Sequence, residues 1–366
     1  RKPKQYPWRS LLILVLAILF GSFGYWWWHL QRQTSLANAI EPSICCIADV
    51  AGIPQGKFNY TAEKGGIWDY VWQQKNLVAK NITLNTKLAA KTPQFKLKYQ
   101  PQTSTESAIA RVKEEQADFA IVNSLTDIDS SLTSDTFAYD GLTFFVAFSQ
   151  DRRNQDLLDS LKGKISLEQL RQLYTGKITN WQQLGGADLP VKLYIPNSDS
   201  AIVLFEEQVL IDRSQVEAFR HLLNTDKLDE QQITRRPILS MLRQILPEYE
   251  NEHVGSIGFA SLARVFNQCS VYPLAIESDR GKSFQPILQS NLEPIEPKLD
   301  LCREKGSYIR DRQIFQTNSY PLTYPLSIVY PRDNRQIPAG EKFAEMLKTD
   351  EAQKLLSKAG LIPLHN

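Results

Sequence analysis

Apolar residues recur along this chain in two periods, and the alternation between those periods outlines the fold. Leu167, Leu170, Leu173 and Tyr174 sit at helical spacing, and Gly176 follows where a left-handed residue would end the helix. Asn180 stands where it can cap a second short helix with Trp181 and Leu184 facing inward, and Gly185-Gly186 closes it. Phe95-Lys96-Leu97-Lys98-Tyr99 alternates with the period of a half-buried strand, while residues 118–122 and 142–148 are apolar runs expected as buried strands. Thr103-Ser104-Thr105, ahead of Glu106, Ile109, Val112 and Lys113, predicts a capped amphipathic helix with its acid in the first turn. Further strands are expected at residues 44–50, 193–195, 254–259, 271–274 and 320–326. Further helices are expected at 66–75, 202–210 and 341–347, followed by a last one capped by Asp350 and stopped by Gly360.

Strand and helix alternating on this scale predict an α/β fold with mostly parallel sheets. Ligands in such sheets sit beyond the carboxyl ends of strands, beside helix starts. That rule selects residues 57–66, 103–107, 123–124 and 197–201.

The first 43 residues follow a different pattern. No charge interrupts the chain between Arg9 and Arg32, and residues 11–30 would span roughly 30 Å as a helix, the thickness of a bilayer core. Tyr6 and Trp8 flank the run on one side and Tyr25-Trp26-Trp27-Trp28 on the other, as an interfacial belt would. Residues 1–32 hold Arg1, Lys2, Lys4, Arg9 and Arg32 without an acid, so the rest of the chain carries −3 of the net +2. The expectation is a basic cytoplasmic segment (1–10), a transmembrane helix (11–30), a polar linker (31–43) and an extracytoplasmic remainder. Cleavage after Ala37-Asn38-Ala39, as in a signal peptide, is the alternative.

Hydrophobic residues make up 42% of the chain and charged residues 22%, an ordinary globular composition with no basic face for nucleic acid. Outside the cytoplasm the four cysteines become disulfide candidates, and Cys269 with Cys302 is the expected pair. Cys45 and Cys46 are adjacent in an expected strand, which would point them to opposite faces and bury at least one as a plain thiol. No cysteine and histidine spacing fits a zinc site. His221, His253 and His365 neighbour no nucleophile, so no enzyme, metal or cofactor is expected.

Several short motifs, taken in order, resemble those of the phosphate-binding proteins that serve ABC transporters, in the periplasmic-binding-protein superfamily. They are Gly56-Lys57-Phe58-Asn59-Tyr60, Asp118-Phe119-Ala120, Tyr139-Asp140-Gly141-Leu142, Thr175-Gly176-Lys177-Ile178 with Asn180-Trp181, Ile257-Gly258-Phe259, the two Tyr-Pro-Leu pieces and Gly360-Leu361-Ile362-Pro363-Leu364. With its anchor and long C-terminal part, the chain is similar to a cyanobacterial branch of that family. The resemblance implies a two-lobed periplasmic-binding-protein fold of type II, with one lobe from residues 44–139 and 267–366 and the other from 140–266. Two crossing strands would join the lobes, which close on an oxyanion.

The site implied by the resemblance is Ser104, Thr105, Ser107, Asn123, Ser124, Asn197, Ser198 and Ser200. Helix-start N–H groups and small hydroxyls would surround the anion. The family's Ser-Asp corresponds to Val122-Asn123, its Gly/Ser/Thr loop has gained Glu63, and its Arg is missing from residues 195–201, where Asp199 stands. Each added acid opposes an anion by on the order of 4 kcal/mol at intermediate dielectric. The implied function is a membrane-anchored, periplasmic solute-binding protein that takes phosphate or another small oxyanion to ABC permease subunits. The alternative is a degenerate relative serving as a sensor, scaffold or partner-binding domain.

Overall fold

Strand β1 (Gly56–Glu63) lies inside a parallel trio because its aromatic and small residues fill both faces of a buried sheet. It pairs with β2 (Phe95–Gln102) on one side and β3 (Phe119–Val122) on the other. These strands come from a computed structural model that describes residues 44–123, 128–150, 157–210, 212–224, 233–333 and 337–365. The expected membrane span and linker lie outside those residues. Among the described residues no helix is long and apolar enough to cross a membrane.

The remaining strands of the main sheet are β4 (Leu132–Ala147), β5 (Val191–Pro196), β6 (Ile233–Arg236), β7 (Gly255–Ser261), β8 (Val271–Pro273), β9 (Thr323–Pro331) and β10 (Ile362–Pro363). Their order is β2-β1-β3-β9-β4-β7-β5-β6, with β8 and β10 also pairing β4. β4 is 16 residues long and belongs to two neighbourhoods. Its residues up to Gly141 pair antiparallel with β9, and from Leu142 onward they pair antiparallel with β7. The sheet is therefore mixed, with a parallel trio at each end and antiparallel strands between them.

β4 changes neighbours between Gly141 and Leu142, and the Leu142 N–H donates to the Leu322 carbonyl at 2.9 Å. Residues 271–277 pair with Phe145–Ala147 and Lys164–Ser166. Asp140, next to Gly141, is fully buried. It accepts from the Tyr324 hydroxyl at 3.1 Å, the Gly141 N–H at 2.8 Å and the Ala263 N–H at 3.4 Å. Burial pushes its carboxyl up to about 7, against the pull of these donors and of Arg310.

Each half has its own aromatic packing. Trp68 and Trp72, in α1 (Ile67–Gln73), stack at 5.0 Å and meet Phe137 and Phe343 edge-on, so both are core residues. In the other half Tyr174, Phe205, Phe219, Phe259 and Phe144 form a second cluster. Trp181 lies beneath it and donates to the Gly255 carbonyl at 2.7 Å. A Cβ at position 255 would come within 2.3 Å of the Trp181 ring, so only glycine fits there.

Three local expectations change. Residues 44–50 make a short 3-10 turn (Ile47–Asp49) instead of a strand. Cys45 is exposed and Cys46 half-buried, so neither is a buried core thiol. The last helix is capped by Thr349, whose hydroxyl accepts the Ala352 N–H at 3.3 Å, with Asp350 as its first residue. Gly360 is left-handed as expected (φ 112°), and Cys269 is bonded to Cys302 with Cα atoms 4.9 Å apart.

Candidate functional site

The parallel strands of the first half end on a common edge. Gln102, Glu63 and Val122 terminate β2, β1 and β3, and helix α2 (Thr105–Lys113) and Asn123 follow directly. In the second half β5 ends at Pro196 and leads into helix α3 (Asp199–Gln208), capped by Ser198. The two edges meet through hydrogen bonds, and Glu63 is at their centre.

Glu63 is 5% exposed. The Ser198 hydroxyl donates to its Oε1 at 3.0 Å, and the Ser200 N–H is shared between Oε1 (3.3 Å) and Oε2 (3.2 Å). Asn123 donates from Nδ2 to the Ser200 hydroxyl oxygen at 3.2 Å, a second tie between the edges. Ser198 and Ser200 hydroxyls lie 3.1 Å apart, and the Ala201 N–H completes the cap on Ser198 at 3.3 Å. Helix starts hold anions because their first N–H groups lack intrahelical partners and the dipole favours negative charge. The anion held here is the protein's own carboxylate. Burial pushes the Glu63 carboxyl up, and the Ser200 and Ser198 hydrogen bonds pull it back only in part.

The backbone N–H of Asp199 adds to the pull on Glu63, but its side chain takes no part in that contact. Its carboxylate forms an ion pair with Arg235 on β6, and both side chains are about half exposed. Arg235 also donates to the Asn197 carbonyl at 3.3 Å. The parallel register that sets Ile195 opposite Arg235 brings this arginine to the edge. The cation missing from residues 195–201 thus arrives from a neighbouring strand, where it neutralises Asp199. A sequence signal existed in Thr234-Arg235-Arg236, but only the β5–β6 pairing gives it an address.

Ser104, Thr105 and Ser107 behave differently. Ser104 caps α2 by accepting the Ser107 N–H at 3.2 Å, and the Ser107 hydroxyl oxygen accepts the Ser104 N–H at 3.2 Å. That reciprocal box satisfies the cluster internally. Thr105 is buried, and among the described residues none of the three donates to Glu63. Of the eight expected residues the structure brings Asn123, Ser198 and Ser200 together. Asn197 is exposed and contributes its carbonyl to Arg235, and Ser124 lies outside the described residues.

Two further features sit near these edges or away from them. Arg264, from α4 (Leu262–Val265), donates to the Gly65 carbonyl at 3.4 Å and lies over the Tyr70 ring at 4.2 Å, with its Nε lacking a partner. Burial there lowers its affinity for its proton. At the start of the described chain, Cys45, Cys46 and Asp49 bring three ligand atoms within 4.8 Å of one another, a grouping that sequence spacing did not reveal.

Solved structures share this fold. A substrate-binding protein of Clostridium perfringens, assigned to a phosphate ABC transporter and solved with bound phosphate, matches with a TM-score of 0.55 and 17% identity. The alignment covers 85% of this chain and 100% of that one. An ABC-type phosphate transport receptor from Vibrio cholerae gives 0.54 and 21%, covering 83% and 99% respectively. Among curated proteins none matches. A family model for a PBP superfamily domain matches residues 74–351, which takes in α2, the Asn123 edge and the whole Ser198–Ser200 helix start. On that match, extending over most of its length, the chain belongs to the PBP superfamily.

Proposed function

We propose that this chain is an extracytoplasmic solute-binding protein that captures a small oxyanion between two lobes. The observation that carries the reading is that the start of α3 already holds a carboxylate, with the Ser198 hydroxyl and the Ser200 N–H on its oxygens. A set of donors that seats a carboxylate suits phosphate, sulfate or an organic acid by the same chemistry. The lobes correspond to the two halves of the sheet, and hinge closure about the crossings at Gly141 and Leu322 is the expected motion. Support for the location comes from the uncharged run at residues 11–30, read as an anchor with the basic end inside, and from the Cys269–Cys302 bridge. Support for an ABC permease as partner is the shared fold with proteins named for phosphate transport.

The second reading is a relative that is closed on itself and works as a sensor, scaffold or partner-binding domain. Glu63 favours it, because the seat is filled without any solute. Calorimetric titration of the full chain in detergent with phosphate, sulfate and acetate separates the two. Solute binding predicts a saturable response, weak for phosphate, at about millimolar concentration. No response to any oxyanion leaves the sensor or scaffold reading, and submicromolar phosphate binding overturns the weight placed on Glu63.

A further inference from the structure

We propose that Glu63 is a tethered anion that clasps the two edges shut, and that a free oxyanion enters only by displacing it. The clasp is a property of the protein alone; the exchange for a free anion rests on the solute-binding reading above.

The donors at the start of α3 are few, and they converge on one carboxylate from residues 135 and 137 positions away in sequence. With the Ser198 hydroxyl and the Ser200 N–H both engaged, a second anion has no comparable donors until Glu63 leaves. Two like charges in one seat would also repel. Nothing cationic pins Glu63 there: among the described residues no ion pair includes it, and the local cation Arg235 faces Asp199 instead. Its hold therefore consists of neutral donors acting on a buried charge, an arrangement that binds the side chain without locking it.

The backbone behind Glu63 suits such an exchange. Gly65 follows two residues later with φ 77°, and its N–H donates to Asp69 Oδ2 at 2.9 Å, so the backbone turn stays in place and the exchange needs only the Glu63 side chain to rotate. Arg264 supplies a second tie to this turn through the Gly65 carbonyl, and Asn123 supplies a third through Ser200. Release of Glu63 would thus loosen the start of α3 while these ties, and that of Gln208 at the far end of α3 to the Thr323 carbonyl at 2.6 Å, remain. A competitor on a short tether acts at an effective concentration of about millimolar, so its removal is expected to raise anion affinity by about tenfold or more.

Hydrogen–deuterium exchange on the full chain in detergent tests the clasp, with inorganic phosphate as the probe. In Glu63→Ser, peptides covering residues 60–66 and 198–203 should exchange about tenfold faster than in the unaltered protein. Peptides covering residues 164–178 should not change. Phosphate should then restore protection at residues 198–203 in the variant while leaving the unaltered protein unaffected at the same concentration. Glu63→Gln keeps the shape and removes the charge, and should show an intermediate acceleration, which covers the case that the Ser variant folds poorly. Faster exchange that no phosphate, sulfate or acetate reverses would uphold the clasp and remove the solute-binding reading. Unchanged exchange in both variants overturns the clasp, as does phosphate binding of equal affinity with and without the Glu63 carboxylate.

Discussion

Glu63 and Glu248 are both carboxylates with almost no solvent contact, 5% and 2% exposed, and each gathers donors from residues far along the chain or across strands. Their environments differ in one respect. Glu248 receives Lys192 Nζ and the Tyr194 hydroxyl at 2.7 Å and the Ser256 hydroxyl at 2.9 Å. Lys192 brings a full charge, and the carboxyl is held below its ordinary range despite the burial that opposes this. Glu63 has only neutral donors, and burial wins, raising it. All three Glu248 partners stand on β5 and β7 within one half of the sheet, while Glu63 reaches across to the other half. A charge neutralised within one half is fixed to that half. A charge held by neutral groups on a facing edge can be given up when the edges part, and the difference separates a structural acid from a gating one.

The largest test of that contrast is removal of each acid. Glu248→Ala strands Lys192, only 15% exposed, without its partner and should destabilise the protein by about 3–5 kcal/mol in urea unfolding. Glu63→Ser, which strands neutral donors near an edge where water can replace the carboxylate, should destabilise by about 1–2 kcal/mol. Equal losses would break the comparison.

A third buried acid sharpens it. Asp140 faces the hydroxyl of Tyr324, the charge of Arg310 and the neutral ring of Tyr320, but among the described residues no cation bonds to it. Its folded value of about 7 lies above the unfolded value near 4, so the folded state holds the proton more tightly. The stability it contributes is complete below about pH 4 and is lost as pH rises through about 7, amounting to about 4 kcal/mol. Asp140→Asn should flatten the pH dependence of unfolding in that window, and an unchanged slope would contradict the assignment.

The same reasoning gives Glu63 and Glu248 opposite signs. Glu63 is raised, so its contribution fades as pH rises through its folded value; Glu248 is lowered, so its contribution fades as pH falls. Glu248→Gln should therefore flatten the loss of stability below the ordinary glutamate value of 4.5, and Glu63→Gln the loss above it, seen in thermal midpoints measured on both sides of that pH. A common direction would show that the Lys192 pairing does not set the difference.

The smallest effect is expected at Asp199. Since Arg235 already neutralises it at a half-exposed position, Asp199→Ser should improve oxyanion binding by only a few-fold, through the freed Arg235. A gain as large as that of Glu63→Ser would move the repulsion from Glu63 to Asp199.

Much of the fold was legible because it is written in short-range patterns. The helix stop at Gly176, the Asn180 cap with left-handed Gly185, and the Gly360 stop each depend on residues within a turn of one another. Residues 44–50 misled, since an apolar run of that length is compatible with a strand and nothing local reports that Ile47 instead packs in a 3-10 turn whose N–H donates to Glu351. At the site, sequence singled out Asn123, Ser198 and Ser200 from the rule that ligands meet strand ends and helix starts. It also grouped Ser104 and Ser107 with them, because a self-satisfied capping box and an open anion seat have the same composition.

What the sequence determined by itself is the alternation of elements, their caps and the presence of Glu63 and Asp199 beside strand ends and helix starts. Only the tertiary structure decided where those acids point. Arg235 meets Asp199 because β6 pairs with β5 in one register, and Glu63 meets Ser200 because two edges 137 residues apart in sequence are brought together. Local propensity acts over a few residues and is encoded residue by residue. Charge pairing between strands and hydrogen bonding between edges depend on distances that exist only after the sheet has formed, when burial and neighbouring donors set whether a carboxylate is fixed, neutralised or free to leave.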